Sequence, residues 1–358
     1  MKLFRLLAFL FPLAAGAAIT DPVGVAALKL RGNSDTIVSL PLLRPALASG
    51  SIQSAGSGQL TMTITVPTIP TDSGAYVLVL TGALEGAVLP ITAFDGQSTL
   101  TVTTGAYSLG NLQTESVNGT GQGDLAAIVP YWTLDTVFPG GAGINASTSP
   151  SVRNTEIQLY TAPAPGTNQV ASAIFFYFSG NAAKAAGWYQ VGNTATALGS
   201  QQLVPNSYFV VRNKIAGDQT VYLAGCVQMA GYNVAVSTLA ANTAQDNLLG
   251  LPVGASLTAS AANLVGSGAF AASPSSTAVA DEVLTFDNTV VAENKVPAAS
   301  YYYCSGTQGQ PAGWYAVGNA TSPVTLNFAP GQGFIIRKKA VATAQTAWWT
   351  GVPPYLQD

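Results

Sequence analysis

Short segments in which apolar and polar residues alternate run through most of the chain after its first 18 residues. QLTMTITV at 59–66 is one of the clearest, and YVLVLTG, AVLPITAF and STLTVTT follow it with turn residues between them. Alternation of this kind buries one face of a segment and is typical of β-strands. Asp95 and Gly96 predict a hairpin turn between the last two segments. The pattern therefore predicts an all-β protein.

One long segment of the chain occurs twice. FFYFSGNAAKAAGWYQVGN begins at Phe175, and YYYCSGTQGQPAGWYAVGN begins at Tyr301, 126 residues later. PNSYFVVRN and PGQGFIIRK repeat at nearly the same spacing. We interpret the repeat as an internal duplication that gives two tandem, homologous β-units. Each unit is predicted to have a sandwich or barrel-like fold. Duplicated units of this kind are expected to pack with pseudo-twofold symmetry.

The first copy carries extra residues. Leu40-Pro41 matches Leu251-Pro252 at a spacing of 211 residues, which predicts an insertion of about 85 residues. The stretch 229–246 is the best helix candidate. The predicted organisation is a signal peptide at 1–18, a first β-unit at 19–49 and 134–230, an inserted small β-module at 50–133, a linker at 231–245 and a second β-unit at 246–358.

The first 18 residues have the pattern of an export signal. Lys2 and Arg5 precede a short apolar run, and Ala15, Gly16 and Ala17 offer a small-residue cleavage site. We expect the protein to be secreted, held at the cell surface or kept in the periplasm. No later apolar segment is long enough to predict a membrane span.

Charge is scarce in this sequence. Only 8% of residues are charged, with 13 basic and 16 acidic groups and a formal net charge of −3. This balance argues against a nucleic-acid partner, because nucleic-acid binding needs a basic surface. A surface with few charges suits self-association or contact with an extracellular polymer, and it equally suits any protein that lives outside the cell.

The sequence lacks histidine, which removes whole classes of chemistry. Ser-His-Asp and Cys-His catalysis and histidine-based metal sites are excluded. No phosphate-binding loop motif is present, and no βαβ pattern supports a dinucleotide cofactor. We therefore predict no cofactor, no metal and no enzymatic activity. A carboxylate-dependent glycoside hydrolase is the enzyme still allowed, with Glu156 and Glu282 as its candidates. These two occupy equivalent positions at strand starts, which favours a structural role.

Six aspartates in predicted loops are candidates for calcium ligands, but turn chemistry favours solvated turn residues instead. They are Asp95, Asp124, Asp218, Asp246, Asp281 and Asp287. The two cysteines, Cys226 and Cys304, stand where the other copy has an apolar residue. Two buried thiols are therefore favoured slightly over one disulfide bond.

The aromatic pairs of the repeated segment have two interpretations. Trp188-Tyr189 and Trp314-Tyr315 could stack on a glycan or contact a neighbouring subunit, or they could pack a hairpin shared by both copies. The packing interpretation is favoured, because both copies retain the pair. Trp348-Trp349 near the C-terminus is a further candidate for a contact surface. The basic run 337–339 is interpreted as a solvated strand edge.

The quoted segments together resemble one family. DPVGVAALKLRGNSDTIVSLPLLRP, TGALEG, VPYWTLDTVFPGG, the two GWYxVGN segments and STLAANTAQDN are similar to a paralogous family of secreted, uncharacterised proteins of Verrucomicrobia. The resemblance covers the chain after the leader. It implies export, and it implies no activity, cofactor or site residue.

From these features we predict a secreted, non-enzymatic structural or cell-surface assembly protein. The alternative is an extracellular polysaccharide-binding protein that uses the Trp-Tyr pairs or the inserted module. A carboxylate-dependent hydrolase is the third interpretation.

Overall fold

The computed structural model describes residues 22–115, 122–161, 164–306 and 310–357, and the predicted signal peptide lies outside them. The regular elements in this part of the chain are almost all strands, which confirms the all-β prediction. The exceptions are α1 (Leu134–Val137) and short 3-10 turns. The strands are β1 (Val23–Leu30), β2 (Ser34–Ser39), β3 (Ala48–Gly56), β4 (Gln59–Met62), β5 (Ala75–Val79), β6 (Val88–Phe94), β7 (Thr99–Val102), β8 (Leu125–Pro130), β9 (Thr155–Leu159), β10 (Ala173–Phe178), β11 (Gly187–Gln190), β12 (Tyr208–Asn213), β13 (Gln219–Cys226), β14 (Tyr232–Thr238), β15 (Gln245–Gly250), β16 (Leu257–Thr258), β17 (Glu282–Thr285), β18 (Ala299–Cys304), β19 (Gly313–Ala316), β20 (Asn327–Phe328), β21 (Gly333–Lys338) and β22 (Gln345–Gly351).

Strands β3 to β8 form a closed barrel, here called the inserted barrel. Its order is β3-β4-β7-β6-β5-β8, and β8 pairs with β3, so the barrel has no unpaired edge strand. Register shifts beside Ile52 and Ile91 bend two of the strands, as closure requires. Its strands run from Ala48 to Pro130, in the region where the sequence predicts an inserted module. The interior is filled by apolar side chains that include Ile52, Leu60, Val77, Leu89, Leu100 and Ile128.

The hairpin predicted at Asp95 and Gly96 is present between β6 and β7. The Asp95 carboxylate accepts hydrogen bonds from the backbone N–H groups of Gln97, Ser98 and Thr99 at 2.8–3.0 Å. Gly96 adopts a positive φ of 84°, which a residue with a side chain rarely does.

Besides the inserted barrel, the described residues form two β-sandwiches. The first β-unit consists of β1, β2 and β9–β13, and the second β-unit consists of β14–β22. The first contains a five-stranded sheet in the order β11-β10-β9-β12-β2, and the second contains one in the order β19-β18-β17-β21-β15. A two-stranded sheet accompanies each, β1–β13 in the first unit and β14–β22 in the second. The strand orders of these four sheets correspond one to one, and the second unit contains a further two-stranded sheet, β16–β20. The duplication itself remains a prediction from the sequence.

Each unit has its core between its two sheets. In the first unit, Leu28 and Leu223 of the two-stranded sheet pack in one cluster with Phe175 and Val211 of the five-stranded sheet. In the second unit the same arrangement brings together Val234, Trp349, Val283 and Ile336, among others. Period-two strands bury one face each, and facing sheets are the way to bury both of those faces.

The predicted linker at 231–245 is wrong, and so is the predicted helix at 229–246. Strand β14 occupies most of this stretch and pairs along its length with β22. Tyr232, Val234 and Val236 alternate into the core, whereas Asn233 and Ala235 face the other way. The alternation has a period of two, so the stretch is a strand, and the second unit begins at β14.

A pair of matched ion pairs lies where the two units meet. Arg212 makes a bidentate contact with Asp35, both bonds being 2.7 Å long. Arg337 makes the same contact with Asp246, at 2.7 and 3.0 Å. Both carboxylates are buried, and bidentate geometry is the strongest form of this interaction.

Each unit completes the ion pair of the other with a loop. Asn168, between β9 and β10, donates its backbone N–H to the carboxylate of the second unit and accepts from the guanidinium there. Asn294, between β17 and β18, makes the same two bonds in the first unit. Both residues have positive φ, 54° and 52°, a conformation that Asn tolerates well. The contacts are reciprocal, like those of an isologous interface.

We predict that Asp35→Ala destabilises the protein by about 2 kcal/mol, because the partly buried Arg212 guanidinium and the Asn294 backbone N–H lose their charged acceptor. Urea unfolding followed by far-UV circular dichroism measures the change. Asp218→Ala is the matched control, because Asp218 forms an exposed ion pair with Arg31 and its loss should change stability little. Equal effects of the two substitutions would contradict the importance of the buried pair.

Candidate functional site

The four aromatic residues of the repeated segment are buried. Trp188 and Tyr315 are fully buried, and Tyr189 and Trp314 are 4% exposed. Rings this deeply buried offer no face to a glycan or to another subunit. The structure therefore favours the packing interpretation of both pairs.

Both faces of these strands are covered, which the alternation rule alone did not predict. Trp188 faces the sandwich core, where its ring lies against Phe138 and Tyr177. Tyr189 points to the opposite face, and the connection between β10 and β11 folds over it. There its hydroxyl donates to Ala185 O at 2.9 Å, and the Lys184 ammonium lies 4.0 Å from the ring centroid.

Trp348 and Trp349 also make contacts within the chain. Trp349 is in the core of the second unit, and its indole N–H donates to Ala262 O. Trp348 lies on the outer face of β22, where the Tyr107 ring of the inserted barrel stacks on it at a centroid distance of 4.0 Å. The Tyr107 hydroxyl also donates to Asn233 O at 2.7 Å. Trp348 is thus a contact residue, and the surface that it contacts is the inserted barrel.

The basic run 337–339 does not lie on a strand edge. Strand β21 is inside the sheet, between β15 and β17. Lys338 is buried, and its ammonium donates to the Asp281 carboxylate and to Ala269 O. The interpretation as a solvated edge was wrong because the sequence does not show which strands flank β21.

The two candidate carboxylates of a hydrolase are not set up as a pair. Glu156 is buried and forms ion pairs with Arg153 at 2.6 Å and Lys214 at 2.8 Å. Burial alone would raise the pKa of Glu156, but hydrogen bonds from Lys214 and Arg153 hold it below its ordinary value. Glu282 lies on the other five-stranded sheet, opposite Arg337. Held ionised by two cations, Glu156 is a poor general acid.

The six loop aspartates divide into two groups. Asp95, Asp218 and Asp287 are solvated turn residues, as predicted, whereas Asp124, Asp246 and Asp281 are buried. Within the described ranges, no group of three or more acidic or cysteine side chains is placed to hold a metal ion. Both cysteines are buried, and they are not joined by a disulfide bond.

A cleft lies where the inserted barrel meets both units. It has a volume of about 580 Å³, within the ordinary range for small-molecule sites. Val88 and Tyr107 line it from the barrel, Tyr160 and Val170 from the first unit, and Ala235 from the second. Its residues come from distant parts of the chain, so the sequence contained no local signal for it.

The cleft is apolar with side-chain amides and carries little charge. The amides belong to Gln169, Gln202, Asn206, Asn233, Gln245 and Asn247. Asp246 is its one acidic residue, and Arg337 neutralises it. The Asn233 side chain is buried, and among the described residues nothing donates a hydrogen bond to its Oδ1.

Hydroxyl groups also line the cleft. Burial raises the pKa of Tyr131 to about 12, further above the neutral range than that of a solvated tyrosine. Apart from Asp246, the side chains of the cleft offer neutral amides and hydroxyls, which suit binding of an uncharged ligand.

A second hollow of about 360 Å³ lies at the junction of the two units, and Asp35, Arg212 and Arg337 line it. No described helix is long and apolar enough to cross a membrane.

The chain matches no protein-family model, and it has no significant match among curated proteins or among solved structures.

We predict that the ion pairs of Glu156 make stability depend on pH. A carboxylate whose pKa is lowered by folding stabilises the folded state above its ordinary pKa, and this contribution is lost as the pH falls through the folded-state pKa. Glu156→Gln should therefore destabilise the protein at pH 7, and the difference from wild type should shrink below the ordinary value of 4.5. Urea midpoints between pH 7 and pH 2 measure it. A difference that stays constant or grows on acidification would contradict this.

Proposed function

We propose that this protein is a secreted, non-enzymatic structural or cell-surface assembly protein that works by packing against neighbouring molecules. The observation that carries the proposal is the character of its surface. The sequence contains few charged residues, and several of its carboxylates form ion pairs inside the molecule. Four buried carboxylates are each bound to cations of the same chain. They are Asp35, Glu156, Asp246 and Asp281.

Charges that form buried ion pairs do not contribute to the charge of the protein surface. Surface charges of like sign keep soluble proteins apart, and a surface that lacks them favours association. Apolar side chains are exposed as well, among them Val23, Val25 and Tyr222. The predicted export signal and the resemblance to a secreted family support an extracellular location for such a surface.

The proposal predicts concentration-dependent assembly of the chain that begins at residue 19. Sedimentation velocity from low to high micromolar concentration should show a rising average mass, and cell fractionation should find the protein at the cell surface. A strictly monomeric protein that is released into the medium would overturn the proposal.

A second candidate function, binding of a neutral polysaccharide, is favoured by the cleft at the barrel junction. Sugars offer apolar C–H faces together with hydroxyl groups, and the cleft offers apolar walls together with amides. On this proposal the binding site is the cleft and not Trp188 or Trp314. Substituting either of those buried tryptophans would only leave a cavity in the core of its unit.

The polysaccharide function is tested by blocking the cleft. Val170 and Leu239 line its mouth and are exposed, so Val170→Arg and Leu239→Arg should fold normally and obstruct the space. On an array of neutral glycans, wild type and the control Val152→Arg should bind the same sugars, and both cleft variants should lose them. No binding by wild type, or unchanged binding by both cleft variants, would exclude this cleft as the site.

A further inference from the structure

The outer face of the two-stranded sheet β1–β13 is apolar and uncovered. We call it the open face, and it consists of Val23, Val25, Ala27, Tyr222 and Ala224. Val23, Val25 and Tyr222 are 73%, 70% and 72% exposed, and the two alanines are exposed as well. The opposite face of the same strands is buried in the core of the first unit.

The strand register makes these side chains one continuous patch. Val25 lies directly opposite Ala224, and Ala27 lies directly opposite Tyr222. A sheet with one solvated face normally alternates apolar and polar residues, whereas strands covered on both faces are apolar throughout. Apart from Lys29 and Thr220, which face each other near one end, strands β1 and β13 follow the second pattern on this face.

The second unit shows what covers the equivalent face. Trp348 follows Tyr222 by 126 residues and occupies the same place, opposite Ala235 as Tyr222 is opposite Ala27. In the second unit the inserted barrel sits on this position, and Tyr107 stacks on Trp348. The described part of the chain contains one such barrel. The same position is thus covered by the Tyr107 ring in one unit and exposed in the other.

Resting on the proposed assembly function, we propose that the open face packs against the open face of a second copy of this chain. The barrel of a neighbouring copy cannot take the place, because its Tyr107 is already engaged by its own Trp348. The open face carries no carboxylate, and its one charged residue is Lys29. If the strands of two copies run antiparallel, the two lysines lie at opposite ends of the contact, so no like charges face each other. An isologous contact of this kind closes as a dimer.

The size of the face determines how strong the contact is. Five small to medium side chains bury on the order of a few hundred Å² per copy, at the small end of protein contacts. We therefore expect a weak dimer that forms with increasing concentration. Larger assemblies would combine this contact with others.

The test is sedimentation velocity on the chain from residue 19, comparing wild type with Val25→Lys and Tyr222→Lys. Both positions are exposed, so the variants should keep the wild-type near-ultraviolet circular dichroism, while a lysine in the contact should raise the dimer dissociation constant about tenfold or more. Val152→Lys is the matched control, because Val152 is 57% exposed and lies in a turn outside the face. It should assemble like wild type.

The outcomes separate this inference from the proposed function. If wild type and both face variants assemble equally, the open face is not the contact, and the assembly function stands. Weakening by the control as much as by the face variants also overturns the inference, since added charge alone would then explain the loss. If wild type stays monomeric at every concentration, the assembly function fails, and the inference fails with it.

Discussion

The arrangement of the molecule depends on the reciprocal contact at the unit junction. Each unit holds a buried bidentate Arg–Asp pair, and each lends an asparagine from a loop to complete the pair of the other. Both carboxylates are buried, and the asparagine bonds to them are the part of this arrangement that joins one unit to the other. Relative movement of the units would break the asparagine bonds at both pairs together. The two sandwiches are therefore held as one body, on which the inserted barrel and the cleft take fixed positions.

The inserted barrel makes two otherwise similar units different. It leaves the first unit after β2 and rests on the outer face of the second, through the stack of Tyr107 on Trp348. The cleft of about 580 Å³ lies at this junction, and the contact covers part of the outer face of β14–β22, at Asn233 and Trp348. The equivalent sheet, β1–β13, stays uncovered. Both candidate surfaces of the protein follow from one insertion.

Much of the fold could be predicted from the sequence, since core positions recur at every second residue and the repeat spacing located the extra module. Tertiary neighbours could not be predicted. Strand β14 was interpreted as a linker because its partner β22 is far away in sequence. Lys338 was assigned to a strand edge because its ion pair with Asp281 joins two distant segments. Tyr189 is buried by a connection that folds over it, and the cleft is assembled from three separate parts of the chain.

The central claim is that the first unit leaves a face bare for a neighbouring copy. Hydrogen–deuterium exchange, measured by mass spectrometry at low and high protein concentration, tests it most directly. Exchange in β1 and β13 should slow as concentration rises, while β14 and β22, already covered by the barrel, should exchange at the same rate throughout. A rise in average mass with no added protection in β1 or β13 would contradict the claim.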